Sequence, residues 1–292
     1  MNFTSEKTNE KNKFYEVIDD DIYVYDKSQF NAKHILECGQ VFRYGIDENG
    51  NYFVISNRFK ATIFEEENYY KIQSNNTEYF INYFDLNTDY SLIKARLNKN
   101  PIISKMIDFG HGIRILKADT EEMIFSFIIS QNNNIKRIKK IVEKMCEVGE
   151  TITHPTGSYK AFPTSKILSE QSMEFFESLG AGYRATFLKE TADFLSSQNL
   201  ETVKQLSTDE ILEYLMKIKG IGPKVASCAL LFGFGRKEKF PVDTWLEKVY
   251  YNHFSSEKRS RPQIQEFFEN EFKEYSGIAQ QYLFYYEMNN SN

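Results

Sequence analysis

Leu215-Met216-Lys217-Ile218-Lys219-Gly220-Ile221-Gly222-Pro223-Lys224, followed by Pro241-Val242-Asp243, is the stretch on which the reading of this chain turns. Upstream, Ser207-Thr208-Asp209-Glu210 has the form of a capping box that opens a helix. Leu215 to Lys219 closes that helix, and Gly220-Ile221-Gly222 makes a turn. Pro223 suits the first position of the next helix, where its missing N–H is no loss. A helix start presents unpaired N–H groups and a positive dipole end, both suited to a phosphate. Glycines beside it let another backbone approach closely. Residues 209–235 thus read as a helix-hairpin-helix, a moderately specific sign of sequence-independent DNA-backbone binding.

Two side chains add chemistry. Lys224 lies just inside the second helix, in a positive field that favours the neutral amine. A neutral amine is the nucleophile that forms a Schiff base with a sugar carbon. The plainer role for Lys224 is a phosphate contact. Asp243 precedes Thr244-Trp245-Leu246 and can cap the helix they begin. It can equally stabilise positive charge on a deoxyribose as its base departs. The roles are compatible, because capping fixes the carboxylate's orientation.

The rest of the chain sets bounds. Its 292 residues allow two or three packed layers. Of the many aromatics, 25 Phe and 19 Tyr, most must be core, so none alone implies base stacking. Met1 to Lys13 is polar and without an apolar segment, and residues 1–13 are expected to be a disordered tail. Val225 to Gly235, the longest apolar run, is too short to span a bilayer. No membrane association and a reducing cytoplasm are expected, nucleoid-associated if the source is prokaryotic. Cys38, Cys146 and Cys228 lack disulfide or metal spacing, as do His34, His111, His154 and His253. Neither metal nor cofactor is called for.

Net charge is −5, mildly adverse to nucleic acid, but two basic clusters argue back. One is Lys136, Arg137, Lys139, Lys140 and Lys144; the other is Lys217, Lys219, Lys224, Arg236, Lys237 and Lys239. A solvated helix face is the commoner meaning of any such cluster. From Ile22 to about Gln73 the pattern is strand-like, with Asp47-Glu48-Asn49-Gly50 as a hairpin turn. Beyond Thr77 the period becomes helical, with helices from Ser91 and Thr120 and an Ile135-Ile138-Ile141-Val142-Met145 stripe. His154 to Pro163 reads as a loop, and helices resume near Thr164. The expected fold is α+β: an N-terminal antiparallel sheet domain over 14–117 and a mostly helical core over 118–292.

The motif resembles that of the helix-hairpin-helix/Gly-Pro-Asp DNA glycosylases, in which the lysine is the nucleophile and the aspartate the essential acid. Lys224 and Asp243 stand nineteen positions apart, as in lysine-bearing members. No four-cysteine iron–sulfur loop follows, unlike in endonuclease III and adenine glycosylase relatives. Further blocks resemble 8-oxoguanine DNA glycosylases: Glu37-Cys38-Gly39-Gln40-Val41-Phe42-Arg43-Tyr44, Gly110-x-Gly112-Ile113-Arg114, Gln131-Asn132-Asn133-Asn134, Leu179-Gly180-x-Gly182-Tyr183-Arg184 and Gly277-x-Ala279-Gln280-x-x-Leu283-Phe284. They run in family order.

The resemblance implies a glycosylase and abasic-site lyase acting as a monomer on duplex DNA with 8-oxoguanine opposite cytosine. It assigns reading of the lesion's N7–H to the Gly39 carbonyl, and the walls around the extruded base to Cys228 and Phe284. Gln280 would meet the Watson–Crick edge. Asn132 would fill the vacated stack, Tyr183 would be the wedge, and Arg137 and Arg184 would read cytosine. Gly220, Gly222, Val225 and Trp245 would meet the DNA backbone. Without the resemblance, Gly39 is an ordinary turn glycine, Cys228 and Phe284 are core, and both arginines are phosphate contacts. Trp245 departs from the histidine of better-known eukaryotic members, which leaves flanking-phosphate contact open. The other readings are an alkylpurine glycosylase, against which Lys224 counts, and a non-catalytic DNA-binding protein.

Overall fold

The computed structural model describes residues 14–153 and 157–290. The expected tail, 1–13, lies outside them, as does the His154–Thr156 part of the expected loop. Six antiparallel strands form the N-terminal sheet: β1 Tyr15–Ile18, β2 Asp21–Val24, β3 Tyr44–Ile46, β4 Tyr52–Ser56, β5 Phe59–Glu65 and β6 Tyr70–Ser74. Their order is β1-β2-β6-β5-β4-β3. Period-two alternation decides which face is buried. Ile63 lies opposite Ile72, which lies opposite Ile22, and all three are enclosed. In the β3–β4 turn, Asp47 Oδ1 accepts from the N–H groups of Asn49 and Asn51, and Gly50 takes φ +85°.

Three features differ from expectation. The strand-like stretch contains a short helix, Ala32–Leu36, because the Asn31 side chain accepts from His34 N at 3.0 Å and caps it. The sheet gains β1, which lies upstream of that stretch. Within the expected loop, the two-residue strand β8 Tyr159–Lys160 pairs with β7 Thr151–Ile152, which lies just before that loop.

The remainder is helical. Asp119 caps helix Thr120–Ser130, with Glu121 and Glu122 in its first turn. This helix is buried almost throughout and packs against helix Pro223–Phe232. Ile138, Ile141, Val142 and Met145 bury one side of helix Ile135–Cys146. Arg43, directly before β3, is fully enclosed, donating to Lys160 O with its Nε 3.5 Å from Glu143. Beside it, burial raises Glu122 to about 7 against the pull of Arg43. Glu122 also accepts from Asn57 N at 3.1 Å, which fastens the β4–β5 turn to the helical core.

Candidate active site

The Ser207 capping box is formed, Pro223 is in the first turn of its helix, and Gly222 is the N-cap. Gly222 offers no side chain to the first turn, and Ala226 N already bonds Gly222 O at 3.0 Å. The N–H groups of Lys224 and Val225 are therefore left for an outside acceptor. Val225's side chain is buried, so only its backbone can meet a phosphate. Gly220 takes φ +89°, and a Cβ there would lie 2.3 Å from the Phe187 ring. The turn requires glycine on both counts.

Lys224 is half-buried, its Nζ 5.4 Å from the Phe127 ring centre. One turn on, Cys228 is enclosed. Burial pushes its thiol pKa up; Lys224, within hydrogen-bond reach, draws it down, and the charge of Asp243 pushes it up again. The charges of the amine and the carboxylate thus act on one thiol in opposite senses. Asp243 Oδ1 accepts from Trp245 N at 2.9 Å and Leu246 N at 3.0 Å, capping helix Thr244–Val249. Oδ2 makes no hydrogen bond among the described residues and is available to a ligand. Trp245 is half-buried, with Lys248 Nζ 4.8 Å from its ring.

The two ends of the chain meet beside one another. Gly39 follows helix Ala32–Leu36 with φ +78°, and a Cβ there would lie 3.1 Å from Phe284 Cε1. The loop is pinned by the buried Gln40, which donates to Ile35 O and Arg114 O and accepts from Leu116 N, each at 2.9 Å. Phe284 stands on the final helix, Ser276–Asn290, which packs on helix Thr244–Val249. Gln280, one turn before Phe284, is nearly enclosed and accepts from Gln281 Nε2 at 2.7 Å.

A second cluster gathers the expected opposite-strand residues. Asn132 is exposed with φ +44°, and Tyr183 is 58% exposed. Arg137 is exposed and donates one Nη2 hydrogen to Gly180 O at 2.8 Å. Arg184 is 3% exposed and donates to the carbonyls of Gln131, Ala181 and Asn132. It braces the loop, because three carbonyls converge on one guanidinium. The braces reach the hairpin. Gln131 Nε2 donates to Gly220 O at 3.1 Å, and Phe187 lies between Gly220 and Tyr183, 6.0 Å from the latter's ring.

Four of the six cations in the second basic cluster have partners within the fold. Lys237 pairs with the buried Asp85 at 2.5 Å, and Arg236 donates to Lys204 O and Leu206 O. Lys219 pairs with Glu190, and Lys239 lies near Asp209 and Glu269. These cations satisfy the fold before any ligand. Phe127, Gln131 and Phe187 are neighbours of the site to which the sequence reading gave no role. Phe127 and Phe187 look like any core aromatic in sequence, whereas Gln131 opens the Asn132 block.

Residues 22–124 match the family described as 8-oxoguanine DNA glycosylase, N-terminal domain, and residues 125–274 match that described as HhH-GPD superfamily base excision DNA repair protein. The solved 8-oxoguanine glycosylase/lyase of Clostridium acetobutylicum, in complex with duplex DNA containing cytosine opposite 8-oxoguanine, is 39% identical with a TM-score of 0.89. The match covers 95% of this chain and 98% of that one. The N-glycosylase/DNA lyase of Saccharomyces cerevisiae is 28% identical over 258 residues, 77% of this chain and 68% of its own. The probable N-glycosylase/DNA lyase of Methanothermobacter thermautotrophicus is 28% identical over 223 residues, 69% and 70% respectively. The chain belongs to the HhH-GPD superfamily of base excision DNA repair proteins.

Proposed function

We propose that this protein excises 8-oxoguanine, preferentially opposite cytosine, from duplex DNA and then cuts the abasic strand by β-elimination. The observation that carries the reading is Lys224 one turn from the enclosed Cys228 at the hairpin helix start, with the charge of Asp243 acting on the same thiol and Asp243 Oδ2 uncommitted. The hairpin N–H groups grip a phosphate, Asn132 and Tyr183 occupy the vacated stack, and the lesion enters between Cys228 and Phe284. Guanine N7 accepts a hydrogen bond, whereas 8-oxoguanine N7 carries a proton and donates one. The Gly39 carbonyl accepts that proton's hydrogen bond, and the absent Cβ permits the approach.

Lys224 Nζ attacks C1′ as the C1′–N9 bond breaks and the base takes the bonding electrons. Asp243 Oδ2 stabilises the positive sugar while Oδ1 holds the helix cap. Loss of a proton from the amine and opening of the C1′–O4′ bond give the Schiff base. Removal of a C2′ proton then expels the 3′ phosphate. Arg137, which has donors to spare, meets the acceptors of cytosine.

Strand nicking of an 8-oxoguanine:cytosine duplex tests the reading, and borohydride should trap protein on the same DNA. Lys224→Gln should abolish trapping and leave DNA binding within about threefold, since the grip is mostly backbone. Trapping by that variant, or an intact duplex after incubation with the wild type, refutes the reading. An alkylpurine glycosylase would not nick this substrate, nor would a non-catalytic DNA-binding protein.

A further inference from the structure

We propose that Gln281, which has no part in the reaction above, is a specificity-determining positioning residue that fixes the amide orientation of Gln280 and so selects a guanine-type over an adenine-type base edge. The inference rests on the proposed function, with Gln280 at the Watson–Crick edge.

A glutamine amide is nearly symmetric in shape and opposite in chemistry at its two ends. Left alone, Gln280 could turn over and read either oxidised purine. The guanine-type edge offers an acceptor at O6 and a donor at N1. The adenine-type edge offers a donor at N6 and an acceptor at N1. An amide that can flip matches both; one that is held matches a single pattern.

Gln280 is held. Gln281 Nε2 donates to its Oε1 at 2.7 Å, and the two side chains are 2% (Gln281) and 5% (Gln280) exposed. The direction of this bond follows from what lies at the far end of Gln281. Its Oε1 is fully enclosed and has no hydrogen-bond partner among the described residues. Turning both amides over would put an NH2 group in that place. An enclosed orphan N–H is the rarer and costlier defect, and there would be two of them. The pocket therefore tolerates the oxygen there and sets Nε2 toward Gln280. Gln280 keeps one lone pair on Oε1 and both hydrogens on Nε2, which make no hydrogen bond among the described residues. With Oε1 on N1–H and Nε2 on O6, that order fits 8-oxoguanine. On 8-oxoadenine it sets donor against donor and acceptor against acceptor.

The test compares kcat/KM for 8-oxoguanine and 8-oxoadenine, each opposite the same base, in wild type and Gln281→Met. Methionine keeps the length and removes the lock. The preference for 8-oxoguanine should fall about tenfold, the size expected for one hydrogen bond's worth of orientation. Nicking of a preformed abasic site should stay within twofold. Gln281→Glu, an acceptor only, would draw Gln280 Nε2 toward itself and should lower the ratio further. A merely structural role would lower both substrates and the abasic reaction together, leaving the ratio unchanged, and that result overturns the inference. Wild-type protein that leaves 8-oxoguanine uncut overturns the functional reading instead.

Discussion

Gly39→Ala is the sharpest probe of the proposed lesion pocket, because its cost can be read from two geometric facts. The backbone sits at φ +78°, in the left-handed region, where a side chain costs about 1–2 kcal/mol. The new Cβ would also lie 3.1 Å from Phe284 Cε1, so the ring must yield by a few tenths of an ångström. Strain of this size lowers the melting temperature by only about 3–5 °C in a chain this large. The effect on base excision should be far greater. The methyl group presses on Phe284, one wall of the proposed pocket, on the residue whose carbonyl would read the base. Misplacement of a reacting group by roughly an ångström costs about a hundredfold. Single-turnover excision from an 8-oxoguanine:cytosine duplex should therefore fall about a hundredfold. Nicking of a preformed abasic site, which needs Lys224 but no base, should stay within about threefold. Excision at the wild-type rate, or equal loss of both steps, would show that Gly39 and Phe284 do not enclose the lesion.

Other outcomes separate roles that one residue combines. Asp243→Asn keeps an oxygen for the cap and loses the free carboxylate oxygen, so excision should collapse with stability nearly unchanged; Asp243→Ala should also lose about 1 kcal/mol of stability in denaturant titration. Arg137→Ala should reduce discrimination between cytosine and adenine opposite the lesion by about tenfold or more in competition cleavage. Arg184→Ala removes the brace of three carbonyls, so it should lower the melting temperature and slow cleavage opposite either base alike. Glu122 gives a pH signature. Burial lifts its pKa from 4.5 to about 7, so the folded state keeps a proton that the unfolded chain releases. The stability this contributes is full below about pH 4.5 and is lost as pH rises through about 7. The shift corresponds to about 3 kcal/mol. The difference in unfolding free energy between wild type and Glu122→Gln should change by that order between pH 4.5 and 8; a pH-independent difference would mean that folding does not raise the Glu122 pKa.

What could be read in advance was what local chemistry determines. The Ser207 capping box, Pro223 at its helix start, the Asp47–Gly50 turn and the Asp243 cap all appear as expected, because each is settled within a few residues. Helix Ala32–Leu36 was hidden because five residues carry too little periodicity to stand out from neighbouring strands. Strand β1 is half exposed, and its pairing with β2 rather than its composition makes it a strand. The fates of Arg184, Arg236 and Lys237 depend on carbonyls and a carboxylate far away in sequence. A cation in a sequence is a charge without an address. The same limit applies to the site itself: Gly39 and Phe284 touch although almost the whole chain separates them.

The join between the hairpin and the loop around Tyr183 has a mechanical consequence. Gly220 is tied to Gln131 through an amide and to Tyr183 through the Phe187 ring, so the proposed grip and wedge are joined through the fold. In the proposed reading, such a part works as a gauge pressed along the duplex. A well-stacked pair resists it and a weakened pair gives way. The first decision at each step would then rest on the stiffness of the DNA, before any base has been inspected, and the slower chemical inspection would be kept for the few positions that bend.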